Sequence, residues 1–335
     1  MNPMVLACGG WIASAVGAAA TLDIAGHLSG GPRSARELAA LTSTDERVLK
    51  RLMRVLVVAG LFAREADGRF ANTPDSERLC DGHPQSVRRF CILAAGDYQR
   101  IFQDVLYSLE TGQPATRRTL GGSLYAYLDR TPDAAVIYDH AMEDLARSAA
   151  AALASRIDAS RVSWIVDVGG GRGTLLRAML AEHPHVRGTC IDRASVCDRA
   201  RRELAEQSPG LAARLEFAAG DFFAGVPAGA DIYLLKNVLH NWGDDPSRQI
   251  LRTLRTAMAG RPDARLLVIE PLEDGPLPAT YKALDDLLQV VISEPGAAAR
   301  SEQDFRRLLG ESGFSVERVD ALPSGHSVMQ AAAAE

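Results

Sequence analysis

The segment Val166-Asp167-Val168-Gly169-Gly170-Gly171-Arg172-Gly173-Thr174-Leu175 restricts the fold of this chain more than any other. Its apolar start reads as a buried strand, its glycines as a tight turn, and Thr174 onward as the first turn of a helix. Glycine lets a backbone turn sharply and approach a ligand with no Cβ in the way. Open α/β sheets bind their ligands at the carboxyl ends of their strands. A dinucleotide fingerprint needs G-x-G-x-x-G, yet counting from Gly169 and Gly171 puts Thr174 where the third glycine belongs. The spacing present is D-x-G-x-G-x-G, led by Asp167.

From about Ser163 the chain alternates strand and helix, which implies a parallel sheet covered on both faces. Strands are expected over Trp164 to Val168, Gly188 to Ile191, Leu215 to Ala218, Asp231 to Leu235, Leu266 to Ile269, Val316 to Asp320 and Val328 to Ala331. Only Leu322-Pro323-Ser324-Gly325-His326 separates the last two, too short for a crossover helix. They should pair as a hairpin, leaving one strand antiparallel. The expectation is an α/β, doubly wound, seven-stranded sheet with a second, helical domain before it.

That second domain has its own signals. Ser34 and Glu37 have capping-box spacing, and Asp45 is placed to cap a helix carrying Val48, Leu49, Leu52, Val55 and Leu56 at helical spacing. Gly60 closes that helix, and two short apolar runs flank Asp67-Gly68 as a hairpin. Helix, helix and two-stranded wing make a winged-helix pattern. Such a module either reads DNA or joins two subunits. The helix that would enter a groove is mostly aliphatic and the local basic excess is slight, which favours subunit contact. The net charge of −5 also argues against nucleic acid as the main partner. Boundaries are expected at 1–84 for this domain, 85–157 for a helical region with many aromatics, and 158–335 for the sheet domain.

Other compartments are poorly supported. Val5-Leu6-Ala7-Cys8 resembles a lipoprotein box, but no Lys or Arg precedes Arg33 and too few residues precede Cys8 for an apolar core. The five cysteines are odd in number and contain no C-x-x-C pair, as in a reduced cytoplasmic protein. Membrane contact and a metal site are not expected.

Chemistry-bearing residues fall at the strand ends. Asp192 follows Asp167 by 25 positions, where a mononucleotide-binding unit places an acid for ribose hydroxyls. The third strand runs into Gly220-Asp221-Phe222-Phe223, where an acid can take an amino group and a phenyl ring can stack on a base. The fourth runs into Leu235-Lys236-Asn237-Val238-Leu239-His240-Asn241-Trp242. Of the seven histidines, His27, His83, His140, His183, His185 and His326 read as surface or turn residues. His240 alone falls just past a central strand end. The fifth strand ends in Glu270-Pro271, a carboxylate one strand over.

The glycine motif looks like the first motif of S-adenosylmethionine (SAM) methyltransferases. With Asp192, Gly220-Asp221-Phe222, Lys236, His240-Asn241-Trp242, Glu270-Pro271 and Arg300-Ser301-Glu302, the whole chain resembles the caffeate-type small-molecule O-methyltransferases. These include bacterial enzymes acting on anthracyclines, phenazines and related aromatic metabolites. The resemblance implies SAM held by Asp167, Gly169, Gly171 and Asp192, with Asp221, Phe222 and Lys236 around the adenine. It implies His240 as general base flanked by Glu270 and Glu302, and a substrate pocket with Met142, Phe102, Asn241 and Trp242. It further implies a homodimer through the N-terminal domain and a small aromatic or polyketide-like substrate. Asn241 stands where many relatives have aspartate, and Gly296-Ala297-Ala298-Ala299-Arg300 departs from a loop richer in glycine and glutamate.

The implied reaction needs little beyond alignment and proton removal. A sulfonium methyl is already electrophilic, whereas a phenol of pKa about 10 needs a base such as an imidazole of pKa about 6.5. The expected activity is methylation of a phenolic or enolic hydroxyl. The alternatives are a SAM-retaining hydroxylase or decarboxylase, a winged-helix ligand-responsive regulator, and a nicotinamide oxidoreductase, the last disfavoured by Thr174.

Overall fold

A computed structural model describes residues 2–334. The chain packs as two units: one holds the residues up to Gln103 together with Thr131–Leu145, the other Asp104–Arg130 and everything from Ala146 onward.

In the first unit, local signals set the helix ends. Ser34 and Glu37 form a reciprocal capping box for the helix Ala35–Thr42, and the Asp45 carboxylate accepts the Arg47 and Val48 amides at the start of Glu46–Val58. The hairpin of β1 (Phe62–Arg64) and β2 (Phe70–Asn72) pairs Phe62 with Asn72 and Arg64 with Phe70. Leu38, Leu49, Met53, Leu56, Phe62 and Phe70 close a core beneath it. The outward face of Glu46–Val58 leaves Val48, Val55 and Val58 exposed.

The second unit is built on a seven-stranded sheet in the order β5-β4-β3-β6-β7-β9-β8. Its strands are β3 (Trp164–Val168), β4 (Arg187–Asp192), β5 (Leu215–Ala219), β6 (Ile232–Lys236), β7 (Arg265–Glu270), β8 (Phe314–Ala321) and β9 (Ser327–Ala333). All run parallel except β9, which is antiparallel to both β7 and β8. The expected strands are all present, with ends shifted by at most two residues. Side chains alternate across the sheet. Leu234, Leu267 and Ile269 meet the helix Thr174–Glu182 on one face. Tyr233, Leu235, Leu266 and Val268 meet Asp244–Ala257 and Glu302–Glu311 on the other. Burial on both faces explains why these strands read as continuous apolar runs.

The connection from β3 runs to β4 on one side, while β6 pairs on its other side, so a crevice opens at the carboxyl end of β3. The glycine turn sits there, with Gly169 at φ 73° and Gly171 at φ 57°, a region costly for residues with a Cβ. The short helix Leu124–Arg130 also belongs to this unit. Arg193, just past β4, donates to the Tyr125 carbonyl at 3.1 Å, and Ser195 Oγ donates to Asp129 at 2.8 Å. No described helix is long and apolar enough to cross a membrane.

Candidate active site

On the β4 side, the Asp192 carboxylate is held from both ends. Its Oδ2 accepts the Gly171 amide at 2.9 Å and its Oδ1 the Arg193 amide at 2.8 Å. Gly169, Val238 and Phe222 are neighbours: a methyl on Gly169 would come within 3.0 Å of Val238 and 3.9 Å of the Phe222 ring. Phe222 also leads an aromatic group, 5.0 Å from Phe223 and 6.2 Å from Trp242 between ring centroids. Asp221 is exposed, and its Oδ1 accepts the Phe223 amide at 2.9 Å.

Asp167 departs from its expected place among the ligands. It lies beneath the turn, 1% exposed, with Oδ1 lacking a hydrogen-bond partner. A methyl on Gly170 would sit 2.5 Å from its Oδ2 and 2.7 Å from Cys190 Sγ, so the turn is packed directly onto it. Burial pushes the Asp167 carboxyl up to about 7, although Lys236 opposes that rise. Lys236, half-buried at the end of β6, is itself drawn down by desolvation to about 8, with Glu270 and Asp167 acting the other way.

His240 lies in a short turn, Leu239–Asn241, that directly follows β6. Two side chains from distant segments hold it. Glu270, fully buried at the end of β7, accepts the Val238 and Leu239 amides on Oε1 at 3.0 and 2.9 Å. Its other oxygen, Oε2, lies 3.1 Å from His240 Nδ1. Arg300 works from the opposite side, donating to the Leu239 and Trp242 carbonyls, each at 2.8 Å, while Asp244 pairs with it at 2.9 Å. The turn is thus fixed by an anion at its amides and a cation at its carbonyls.

Several side chains lie elsewhere than the sequence suggested. Glu302 starts the helix Glu302–Glu311 and gives its carboxylate to Arg306, one turn on, at 2.7 Å. The second carboxylate within electrostatic reach of His240 and Glu270 is Asp285, on the helix Ala279–Ile292. Burial raises its carboxyl above the usual range, while His240 opposes the rise. Asn241 is engaged internally: its Nδ2 donates to the Asn237 carbonyl at 2.9 Å and its Oδ1 accepts from Ser293 Oγ at 3.1 Å. The Trp242 ring packs edge-on against Phe223, with centroids 4.7 Å apart. Met142 is half-buried on Pro132–Ala154, and Phe102 half-buried at the end of Gln99–Phe102, both in the first unit. His326 is no simple turn residue, because its ring bonds Asn237 Oδ1 at 3.1 Å. Asp285 and His326 escaped sequence reasoning because no local motif marks either.

The family profile for an O-methyltransferase domain matches residues 102–315, and that for an O-methyltransferase dimerisation domain matches residues 4–82. A phenazine O-methyltransferase of Lysobacter antibioticus is 35% identical over 96% of this chain and 93% of its own length. The crystal structure of a mitomycin 7-O-methyltransferase superposes with a TM-score of 0.85 at 36% identity, covering 98% of this chain and 96% of that one. A neocarzinostatin-biosynthesis O-methyltransferase, crystallised with SAM and 2-hydroxy-5-methyl naphthoic acid, matches with a TM-score of 0.78 at 31% identity. It covers 96% of this chain and 95% of its own.

Two predictions follow from these contacts. Glu270→Gln keeps a carbonyl for the Val238 and Leu239 amides but turns an NH2 toward His240, which imposes the wrong ring tautomer. It should keep its melting temperature and lose about 10²-fold or more in kcat. Glu270→Ala strands two buried amides, at about 1–3 kcal/mol each, and should melt several degrees lower. Equal melting losses for both variants would contradict the double role. Asp167 gives a pH signature. Between the ordinary carboxyl value of 3.8 and about 7, the folded state keeps a proton that the unfolded chain has lost. Its contribution to stability therefore falls as pH rises through that window. Asp167→Asn lacks the effect, so its melting temperature relative to the unmodified protein should climb from about pH 4 to about pH 8. A constant difference by scanning fluorimetry would count against the buried carboxyl.

Proposed function

The chain belongs to the O-methyltransferase family, whose methyl donor is SAM, and from that premise we propose that it methylates a phenolic or enolic hydroxyl of an aromatic secondary metabolite with His240 as base. The observation that carries the reading is the buried Glu270 Oε2 at 3.1 Å from His240 Nδ1. The two atoms are close without being aligned as a hydrogen bond, but a carboxylate at that distance favours a proton on Nδ1 over Nε2, so that Nε2 can take the proton of an acceptor hydroxyl. As that proton arrives, Glu270 stabilises the imidazolium, and Asp285 adds a second negative charge nearby.

The residues at the glycine turn suit the donor. Gly169 and Gly171 take positive φ that disfavours a Cβ, Asp192 sets a carboxylate beside the turn for ribose hydroxyls, and Phe222 borders Gly169 for stacking. Asp221 and Lys236 would complete the adenine end. When bound, the donor supplies an activated methyl on a sulfonium sulfur. The chain's part is to align the acceptor, remove its proton and exclude water.

Met142 and Phe102 are assigned to the acceptor pocket. Asn241 and Trp242 contribute by shaping the turn, since their side chains are occupied within the protein. Residues 1–84 form the homodimerisation domain, 85–157 the helical pocket and linker region, and 158–335 the catalytic domain, in a cytoplasmic enzyme. Exposed Trp11, Val48, Val55 and Val58 lie within the stretch matched by the dimerisation profile and supply apolar surface for a partner. The neocarzinostatin relative's hydroxynaphthoic acid ligand supports an aromatic hydroxy substrate.

His240→Gln should bind SAM within about threefold of normal and lose about 10²–10⁴-fold in kcat. Asp192→Ala should instead weaken SAM binding by about tenfold, seen by calorimetry. Near-normal turnover of His240→Gln, assayed by mass spectrometry on phenolic metabolites, would remove the base from His240.

A further inference from the structure

We propose that His326 is a positioning residue for the transfer site, holding the left-handed turn at Asn237 from which His240 is presented. This rests on the assignment of His240 above. Sheet register brings the residues together. Lys236 pairs with Ile269, and Glu270 with Ser327, so the residue after β6 meets the residue before β9. Asn237 takes φ 52°, an unfavourable region for a residue with a Cβ. Such a conformation persists only where its surroundings over-determine it.

Three hydrogen bonds do so. The Asn237 amide donates to the Ile269 carbonyl at 3.0 Å and continues the sheet. Its carbonyl accepts Asn241 Nδ2 at 2.9 Å, a bond made within the catalytic turn itself. Its Oδ1 accepts His326 Nε2 at 3.1 Å. Of the three, only the last fixes the Asn237 side chain from outside the turn. Since Oδ1 is an acceptor, the His326 proton sits on Nε2, and Nδ1 accepts from Ser324 Oγ at 3.1 Å.

The ring is suited to a fixed, uncharged role. Desolvation first, then the neighbouring Lys236 and His240, push His326 down to about 3, with a backbone hydrogen bond at Ser324 opposing this. It donates without adding another cation beside Lys236. Its own turn is firmly seated, because a methyl on the adjacent Gly325 would lie 2.2 Å from Leu277. The turn residues Ser324 and Gly325 also border an open 530 Å³ cavity with Arg156, Pro276 and Pro323.

The test separates donor from bulk. His326→Phe keeps volume and loses the donor, whereas His326→Gln keeps an amide donor. His326→Phe should lose about 10- to 100-fold in kcat, with the SAM dissociation constant and melting temperature near those of the unmodified protein. His326→Gln should recover most of the rate. Unchanged kcat in the Phe variant, or equal losses in Phe and Gln, would overturn the proposal. A readout independent of turnover is ¹⁵N-histidine NMR of the unmodified protein. His326 should stay neutral and protonated on Nε2 from about pH 5 to about pH 8. An Nδ1-protonated ring, or a ring that titrates in that range, would overturn it. If no hydroxyl acceptor is methylated, the functional reading fails, while the NMR result still decides the His326 contact.

Discussion

One buried carboxylate holds together the turn that carries His240. An ion inside a protein is costly unless it is hydrogen-bonded and paired, and Glu270 meets that condition with two backbone amides on one oxygen and an imidazole beside the other. The amides belong to the two residues just before His240, so the group that faces the ring also sets the backbone carrying it. Arg300 completes the arrangement from the carbonyl side. A single-residue shift of the turn would break bonds to both, which is how a three-residue turn keeps one geometry.

The same strand ends carry a chain of coupled charges. Lys236 is influenced by Glu270 on one side and Asp167 on the other, and Asp285 by both His240 and Glu270. Burial acts against the charged form of Lys236, Asp167 and Asp285, and opposite neighbours restore part of it. A cationic donor arriving at the glycine turn would enter a region that already holds Asp167 and Asp192 beneath and beside it. The Asp192 carboxylate favours a sulfonium; Asp167, raised to about 7, adds only part of a charge at neutral pH, and Lys236, drawn down to about 8, remains mostly protonated there and opposes it.

The fold was legible in the sequence because its signals are local. The glycine turn, the apolar strands and the short link before Ser327 each say what their own few residues must do. That Asp192, Lys236 and Glu270 fall at strand ends was legible for the same reason. Partnerships across the sheet were not. His326 meets Asn237 across 89 residues and Arg300 meets Leu239 across 61, and both follow from strand order and register rather than from any motif. Glu302 is a different case: Arg306 stands four residues ahead on the same helix, the ordinary spacing for an ion pair, and that local pairing outweighed the family analogy. Asp167 was read as a ligand because it leads the motif, but a strand residue pointing under a glycine turn is buried by the turn itself.

Asn241 shows how these contacts fit one another. Its amide must donate to the Asn237 carbonyl and accept from Ser293. An aspartate could accept but not donate, and would set a carboxylate against that carbonyl. The single Ser293 hydroxyl proton is shared between Asn241 Oδ1 and Gln289 Oε1, the latter at 2.7 Å, and Gln289 bonds Asp285. A continuous polar path therefore runs from Asp285 through Gln289, Ser293, Asn241 and Asn237 to His326. It links the helix Ala279–Ile292 to the turn that carries His240. An asparagine, which can donate as well as accept, therefore suits this network where an aspartate would not.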